Sequence, residues 1–129
     1  MVNMTRSDFL KKVCNYEKSD EWDFLGDLPC VVDFHDEGCP PCRAIKPILD
    51  NLTQEYSGRV DFFEVDVRRE ENLARELGIE HLPTLVLCRP GAAPLVVKGM
   101  TPKDRLASVI DNELLNSGLP TTDSGGSDK

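Results

Sequence analysis

Hydrophobic and polar positions along the chain recur with the periods of helices and strands. Thr5 and Asp8 have the spacing of a capping box ahead of an apolar stripe, so a helix is predicted to begin near residue 6. Residues 15–28 are mostly polar and are predicted to be a connection. The apolar run over 30–34 that follows is typical of a strand buried on both faces.

The middle of the chain predicts two more helices and a strand. Apolar residues at i, i+3, i+4 and i+7 indicate a helix over about 42–56, with Pro47 in its interior. A second strand is predicted over 60–67. A further helix is predicted over 70–77, because Gly78 is the residue expected just past a helix C-terminus.

Two strands and a helix complete the predicted elements. Strands over 84–88 and 95–98 are separated by a turn of hairpin length, so they are predicted to be antiparallel. The last helix is predicted to have Thr101 as its N-cap and Pro102 at its first position. Because a β-α-β crossover makes strands parallel, the whole order predicts an α/β fold with a mixed central sheet and helices on both faces.

The length of 129 residues predicts one domain, which we assign to residues 1–116. Residues 1–29 form its N-terminal helix and connection, and residues 117–129 are predicted to be a disordered tail because they are poor in apolar groups. The net charge of −8 argues against a nucleic-acid partner. No apolar run approaches the roughly 18 residues that span a membrane, so we expect no membrane partner either.

Five cysteines with one close pair do not resemble a secreted disulfide framework. Cys14, Cys30 and Cys88 lie among apolar neighbours and are predicted to be buried small hydrophobes, although a Cys14–Cys30 bridge stays open. Because residues 1–12 lack the pattern of a secretory signal, we expect a cytoplasmic protein. A periplasmic location would follow if a signal peptide had been removed.

The close pair, Cys39 and Cys42, lies between a predicted strand and a predicted helix. Unpaired N–H groups and the positive end of the helix dipole stabilise an anion at Cys39, so this thiol is predicted to be the nucleophile. Cys42 lies one turn further in and is predicted to resolve the mixed disulfide. Since Pro40 and Pro41 have no N–H, the amides of Cys42 and Arg43 become the nearest donors to the Cys39 sulfur.

The chain resembles the thioredoxin family over roughly residues 30–115. The resemblance lies in five segments with matching order and spacing: Val31–Phe34, Cys39–Cys42, Lys46–Leu49, Gly78–Thr84 and Lys98–Gly99. It implies a thioredoxin-like, three-layer α/β/α fold and a protein-disulfide reductase. It also implies disulfide-containing protein substrates and a reductase as electron donor. Because the sequence contains no nucleotide, flavin or haem motif, we expect no cofactor beyond the Cys39–Cys42 disulfide, and we expect no metal. We expect a monomer.

The resemblance also implies roles for residues near the dithiol. Asp33 matches the general base that takes the proton of Cys42, and a carboxyl inside an apolar strand should have a raised pKa. The alternative is that Asp33 meets water at a strand end. Pro83 matches a cis proline that exposes the backbone of Leu82 to an incoming chain, and Gly99 would keep the groove open.

Several residues depart from the family pattern. Gly38 stands where an aromatic residue is common beside the nucleophile, and Pro40 stands where glycine is common. His35 replaces a large aromatic residue, and we predict that it tunes the Cys39 thiolate between about pH 6 and 8. In the alternative, His35 and His81 are surface or partly packed histidines. Glu64 lies near a position where many thioredoxins carry lysine, and it is predicted to face solvent.

Three rival functions stay open. The altered dipeptide permits a disulfide oxidase or isomerase of the periplasmic kind. A zinc module would use Cys39, Cys42, His35 and His81, but it would leave Asp33 without a role. A non-catalytic partner-binding domain would not need both cysteines.

Overall fold

The structure is a computed structural model that describes residues 1–115, so the predicted tail at 117–129 lies outside the described residues. The strands are β1 (Val2–Asn3), β2 (Cys30–His35), β3 (Asp61–Asp66), β4 (Thr84–Cys88) and β5 (Leu95–Lys98). The helices are α1 (Arg6–Lys12), α2 (Pro40–Glu55), α3 (Glu71–Glu76) and α4 (Lys103–Val109), and a π-helix follows over Ile110–Leu115. None of the helices within residues 1–115 is long and apolar enough to cross a membrane.

The five strands form one mixed sheet in the order β1-β3-β2-β4-β5. Strand β2 lies at its centre, parallel to β3 and antiparallel to β4, and β4 pairs antiparallel with β5. The predicted mixed sheet is therefore confirmed. Strand β1 was not predicted, because two residues carry no periodicity; it forms through parallel pairing with β3, in which Val2 is the partner of Phe63.

Each face of the sheet carries its own hydrophobic core. On one face, side chains of α2, α4 and the π-helix pack against alternate strand residues such as Val31 and Leu85. On the other face, Phe9 of α1 and Leu73 of α3 pack against Phe34. Because successive strand residues point to opposite faces, β2 contributes to both cores. The predicted three-layer arrangement follows from this division.

Of the two predicted helix N-caps, that of α1 is confirmed and that of α4 is wrong. The capping box is present, since the Thr5 hydroxyl accepts from the Asp8 amide at 3.1 Å and the Asp8 carboxylate accepts from the Thr5 amide at 3.0 Å. The prediction of Thr101 as the N-cap of the last helix is wrong, because Pro102 occupies that position. The Thr101 hydroxyl instead donates to the Gly99 carbonyl at 3.3 Å, an acceptor that the preceding turn brings within reach.

Cys14, Cys30 and Cys88 are free, buried thiols in the core that contains Phe34. Cys30 and Cys88 are register partners on β2 and β4. The adjacent Cys88 thiol and burial raise the pKa of Cys30 far above its usual range, so its reactive thiolate is strongly disfavoured. In this structure the three cysteines act as apolar packing groups.

Candidate active site

The dithiol lies at the start of α2, just after the short loop that follows β2. The helix begins at Pro40 rather than near residue 42, and Cys39 is its N-cap. The two prolines occupy the first helical positions, where an N–H has no partner within the helix. The first free amide, that of Cys42, donates to the Cys39 sulfur at 3.3 Å, whereas the Arg43 amide donates to the Cys39 carbonyl at 3.1 Å. The prediction that both amides face the sulfur is thus right only for Cys42.

The two thiols differ in exposure. Cys39 is half-buried, whereas Cys42 is 4% exposed. Burial, and then the hydrogen bond with the Cys39 thiol, raise the pKa of Cys42 to about 12. A nearby base is therefore needed if Cys42 is to react at neutral pH.

The loop before β4 closes over the dithiol. The Cys39 thiol donates to the Leu82 carbonyl at 3.7 Å, and the Leu82–Pro83 peptide bond is cis, as predicted. The Gly99 amide donates to the Pro83 carbonyl at 2.8 Å. Gly99 has φ of +85°, a conformation that side chains disfavour. The structure thus brings Leu82, Pro83 and Gly99 together beside Cys39.

Asp33 lies on the face of the sheet that α2 covers, and it is 2% exposed. Within residues 1–115 its Oδ1 atom has no hydrogen-bond partner. Burial, and then the negative charge of Glu64, raise the pKa of Asp33 to about 7, while Lys46 acts in the opposite direction. The alternative in which Asp33 meets water at a strand end is therefore wrong.

The prediction that Glu64 faces solvent is also wrong. Its side chain is 19% exposed, and its Oε1 atom lies 3.1 Å from Lys46 Nζ and 3.4 Å from His35 Nε2. The cause is a tertiary contact: Lys46 comes from α2, which lies over this end of β3. His35 thus lies against a carboxylate, while His81 is exposed. Among the described residues, no group of three or more histidine, cysteine, aspartate and glutamate side chains is arranged to hold a metal ion.

Sequence reasoning missed two residues that anchor the loop before Cys39. The Asp36 carboxylate accepts from the Gly38 amide at 2.9 Å and from Arg68 Nε at 2.9 Å. The hydrogen bond from the Gly38 amide, and to a smaller extent the one from Arg68, lower the pKa of Asp36. An aspartate two residues before a glycine is a known turn signal that would have identified Asp36. Arg68, which is 32 residues away in the chain, carries no local signal.

Comparisons with known proteins agree with this geometry. The thioredoxin family model matches residues 4–112. The chain is 32% identical over 109 residues to a thioredoxin of Borreliella burgdorferi, covering 84% of this chain and 93% of that protein. It is 32% identical over 114 residues to thioredoxin C-2 of Corynebacterium nephridii, covering 88% and 96%. The crystal structure of chloroplastic thioredoxin z has a TM-score of 0.73 at 23% identity, covering 87% of this chain and 92% of that one, and shows the same fold.

The raised pKa of Asp33 leads to a prediction about stability. Because this pKa is about 7 in the folded protein and about 3.9 in an unfolded chain, the folded state holds the proton more tightly. The carboxyl therefore lowers the free energy of unfolding as the pH rises from about 4 to about 7. We expect Asp33→Asn to increase that free energy at pH 8, by at most ~4 kcal/mol, and to change it little near pH 4. Urea denaturation at both pH values measures this.

The matched control is Asp36→Asn, which makes the same chemical change three residues away. Because the pKa of Asp36 is lowered in the folded protein, its charge favours folding at pH 8, so this variant is expected to be less stable there. Equal stability of Asp33→Asn and the unsubstituted protein at pH 8 would contradict the raised pKa.

Proposed function

Since the chain belongs to the thioredoxin family and is a thiol–disulfide oxidoreductase that reduces protein disulfides, we propose that Cys39 is its nucleophile and Cys42 its resolving thiol. The observation that carries this assignment is the difference in exposure between the two cysteines, since a large substrate reaches only the more exposed one. The 3.3 Å hydrogen bond from the Cys42 amide to the Cys39 sulfur supports it, because the same contact stabilises a thiolate on Cys39.

In the first step, the Cys39 thiolate attacks one sulfur of the substrate disulfide. The substrate S–S bond breaks, a mixed disulfide forms with Cys39, and the leaving thiolate takes a proton from solvent. In the second step, the Cys42 thiolate attacks the Cys39 sulfur. The mixed disulfide breaks, the Cys39–Cys42 disulfide forms, and the second substrate sulfur leaves as a thiolate that takes a proton from solvent. The substrate gains two electrons, and this chain loses them.

We assign the general-base role in the second step to Asp33. With a pKa of about 7, this carboxyl is partly ionised at neutral pH, whereas Cys42, with a pKa of about 12, is protonated. The Asp33 charge also contributes to the raised pKa of Cys42, which is consistent with their proximity. Transfer of the Cys42 proton to Asp33 supplies the thiolate that the second step needs.

We propose that the substrate chain binds beside Cys39, along Gly38, Leu82 and Gly99. The 3.7 Å contact between Cys39 and the Leu82 carbonyl supports this, because a backbone bound there would present its disulfide to the nucleophile. Pro40 and Pro41 are exposed next to the same sulfur, and we assign them a supporting role because they begin α2 directly after Cys39. His35 is assigned a supporting role through its contact with Glu64.

Family membership implies disulfide-containing protein substrates and a reductase as electron donor. Thioredoxins generally need no cofactor, and we propose that the Cys39–Cys42 disulfide is the only redox group of this chain. We further propose that residues 1–116 act as one domain, that the protein is a cytoplasmic monomer, and that it binds neither nucleic acid nor a membrane.

Substitution of each cysteine separates the two steps. Cys42→Ala is expected to accumulate a mixed disulfide with the substrate, because Cys39 attacks and nothing resolves the product. Cys39→Ser is expected to form no mixed disulfide and to lose the reductase activity. Non-reducing electrophoresis with insulin as the disulfide substrate measures both. A mixed disulfide through Cys42 in the Cys39→Ser variant would reverse the assigned roles.

Removal of the Asp33 carboxylate is expected to slow only the second step. Asp33→Asn should leave formation of the mixed disulfide unchanged and slow its resolution at pH 7 by roughly 10- to 100-fold, since an amide cannot accept the proton. Rapid acid quenching during a single turnover separates the two rates. An unchanged resolution rate from pH 6 to pH 8 would remove Asp33 from the mechanism.

The reduction potential tests the physiological direction. Equilibration of the Cys39–Cys42 pair in dithiothreitol redox buffers is expected to give a value below about −240 mV, the range of a disulfide reductase. About 30 mV corresponds to a tenfold change in the exchange equilibrium, so the measurement discriminates well. A value above about −200 mV would instead favour an oxidase or isomerase, and it would contradict the proposed cytoplasmic location.

A further inference from the structure

The loop between β2 and α2 is bound to an arginine from another part of the chain. Arg68 lies in the turn that follows β3, and its Nε group donates to the Asp36 carboxylate at 2.9 Å. The other oxygen of this carboxylate accepts from the Gly38 amide at 2.9 Å. Asp36 thus places the guanidinium group of Arg68 beside the residue that immediately precedes Cys39.

Gly38 leaves the space on this side of Cys39 open. A side chain at position 38 would begin with a Cβ atom 3.7 Å from Arg68 Nη2, which is ordinary van der Waals contact. Because glycine has no Cβ atom, the guanidinium group borders an open space where another residue would carry its side chain. A substrate chain bound along Gly38 therefore comes close to this group.

The outer part of Arg68 carries hydrogen-bond donors that the protein does not use. Its side chain is 74% exposed, whereas that of Asp36 is 20% exposed. The ion pair with Asp36 uses the Nε group, and within residues 1–115 the two Nη groups have no hydrogen-bond partner. A guanidinium group binds a carboxylate through two parallel N–H donors, so the Nη groups can bind a carboxylate of the substrate.

The other two charged residues of this region offset each other. Arg43 Nη1 donates to the Glu37 carbonyl at 3.0 Å, and the two residues are both exposed and carry opposite charges. Each oxygen of Asp36 already accepts a hydrogen bond within the loop. The outward-facing charge on this side of Cys39 is therefore the guanidinium group of Arg68.

We propose that Arg68 is a specificity-determining residue that favours disulfide substrates with an aspartate or glutamate next to the cysteine that Cys39 attacks. The substrate carboxylate binds the Nη groups of Arg68, and this contact holds the substrate disulfide beside the Cys39 sulfur. Formation of the mixed disulfide is the step that becomes faster, because it is the step in which the substrate is bound from solution. This inference rests on the proposed roles of Cys39 as the nucleophile and of Gly38 in substrate binding.

The test uses three peptide disulfides that differ only in the residues on both sides of the cysteine, which are glutamate, glutamine or lysine. In the Cys42→Ala background, acid quenching and mass spectrometry measure how fast each peptide forms a mixed disulfide with Cys39. Arg68→Gln is expected to slow the glutamate peptide about threefold, to speed the lysine peptide about threefold, and to change the glutamine peptide little, as for one exposed ion pair. Because each peptide is compared between variants, differences in its own reactivity cancel.

The matched control is Arg69→Gln, which removes the same charge from the same turn. The Arg69 side chain is 79% exposed, and its Nε atom lies 3.8 Å from the Asp66 carboxylate rather than beside Gly38. This variant should leave the three rates unchanged. An effect as large as that of Arg68→Gln would overturn the inference, because the net charge of the protein would then be the cause.

A purely structural role of Arg68 would give a different result. If Arg68 only holds the loop through Asp36, Arg68→Gln changes the three rates in the same direction and proportion, and the inference is overturned although mixed disulfides still form. Arg68→Lys keeps a cation and should keep most of the preference for the glutamate peptide. A loss as complete as in Arg68→Gln would also overturn the inference, since charge would not be the cause.

Failure of the proposed function is distinguishable from these outcomes. If none of the three peptides forms a mixed disulfide with the Cys42→Ala variant, Cys39 is not the nucleophile, and the inference about Arg68 falls with that assignment. If all three peptides form one and only their relative rates fail to respond to Arg68→Gln, the inference alone is overturned.

Discussion

The pairing of strand β2 on both of its edges is the constraint on which the rest of the site depends. Its register with β3 and β4 directs Asp33 towards α2 and Phe34 into the opposite core. Because side chains alternate along a strand, a slip of one residue would exchange the two, burying an aromatic ring under α2 and moving the carboxyl to the other face. The hydrophobic cores that hold β2 in register therefore also determine where the proton acceptor of the site lies.

The local environment gives the two cysteines, and likewise the two aspartates, different chemical properties. Cys39 lies at the helix N-terminus, half-buried and hydrogen-bonded, whereas Cys42 is shielded and has a pKa of about 12. Burial also raises the pKa of Asp33 to about 7, while Asp36, hydrogen-bonded at the loop, has a lowered pKa. The same residue type thus supplies a proton acceptor at one position and an anchor that is ionised at neutral pH at another. Desolvation and hydrogen bonding, rather than residue type, separate the two.

Local patterns predicted the parts of the site that depend on neighbouring residues in the chain. The capping box at Thr5 and the alternation of strand and helix needed only short-range rules, and the cis bond before Pro83 followed from the family resemblance. Contacts between segments that are far apart in the sequence could not be predicted. Glu64 was expected to face solvent because nothing in its own strand reveals that Lys46 lies above it. Strand β1 is too short for any pattern, and it exists only through its pairing with β3.

The two prolines between the cysteines need not weaken the helix that they begin. The amides missing from Pro40 and Pro41 are ones that a helix leaves unpaired in its first turn, so no intrahelical hydrogen bond is lost. Their absence makes the Cys42 amide the first donor available to the Cys39 sulfur. The contact that stabilises a Cys39 thiolate is therefore made by the residue whose own thiol must later attack it. Both steps of the exchange therefore depend on the position of Cys42, which lies buried in the first turn of α2.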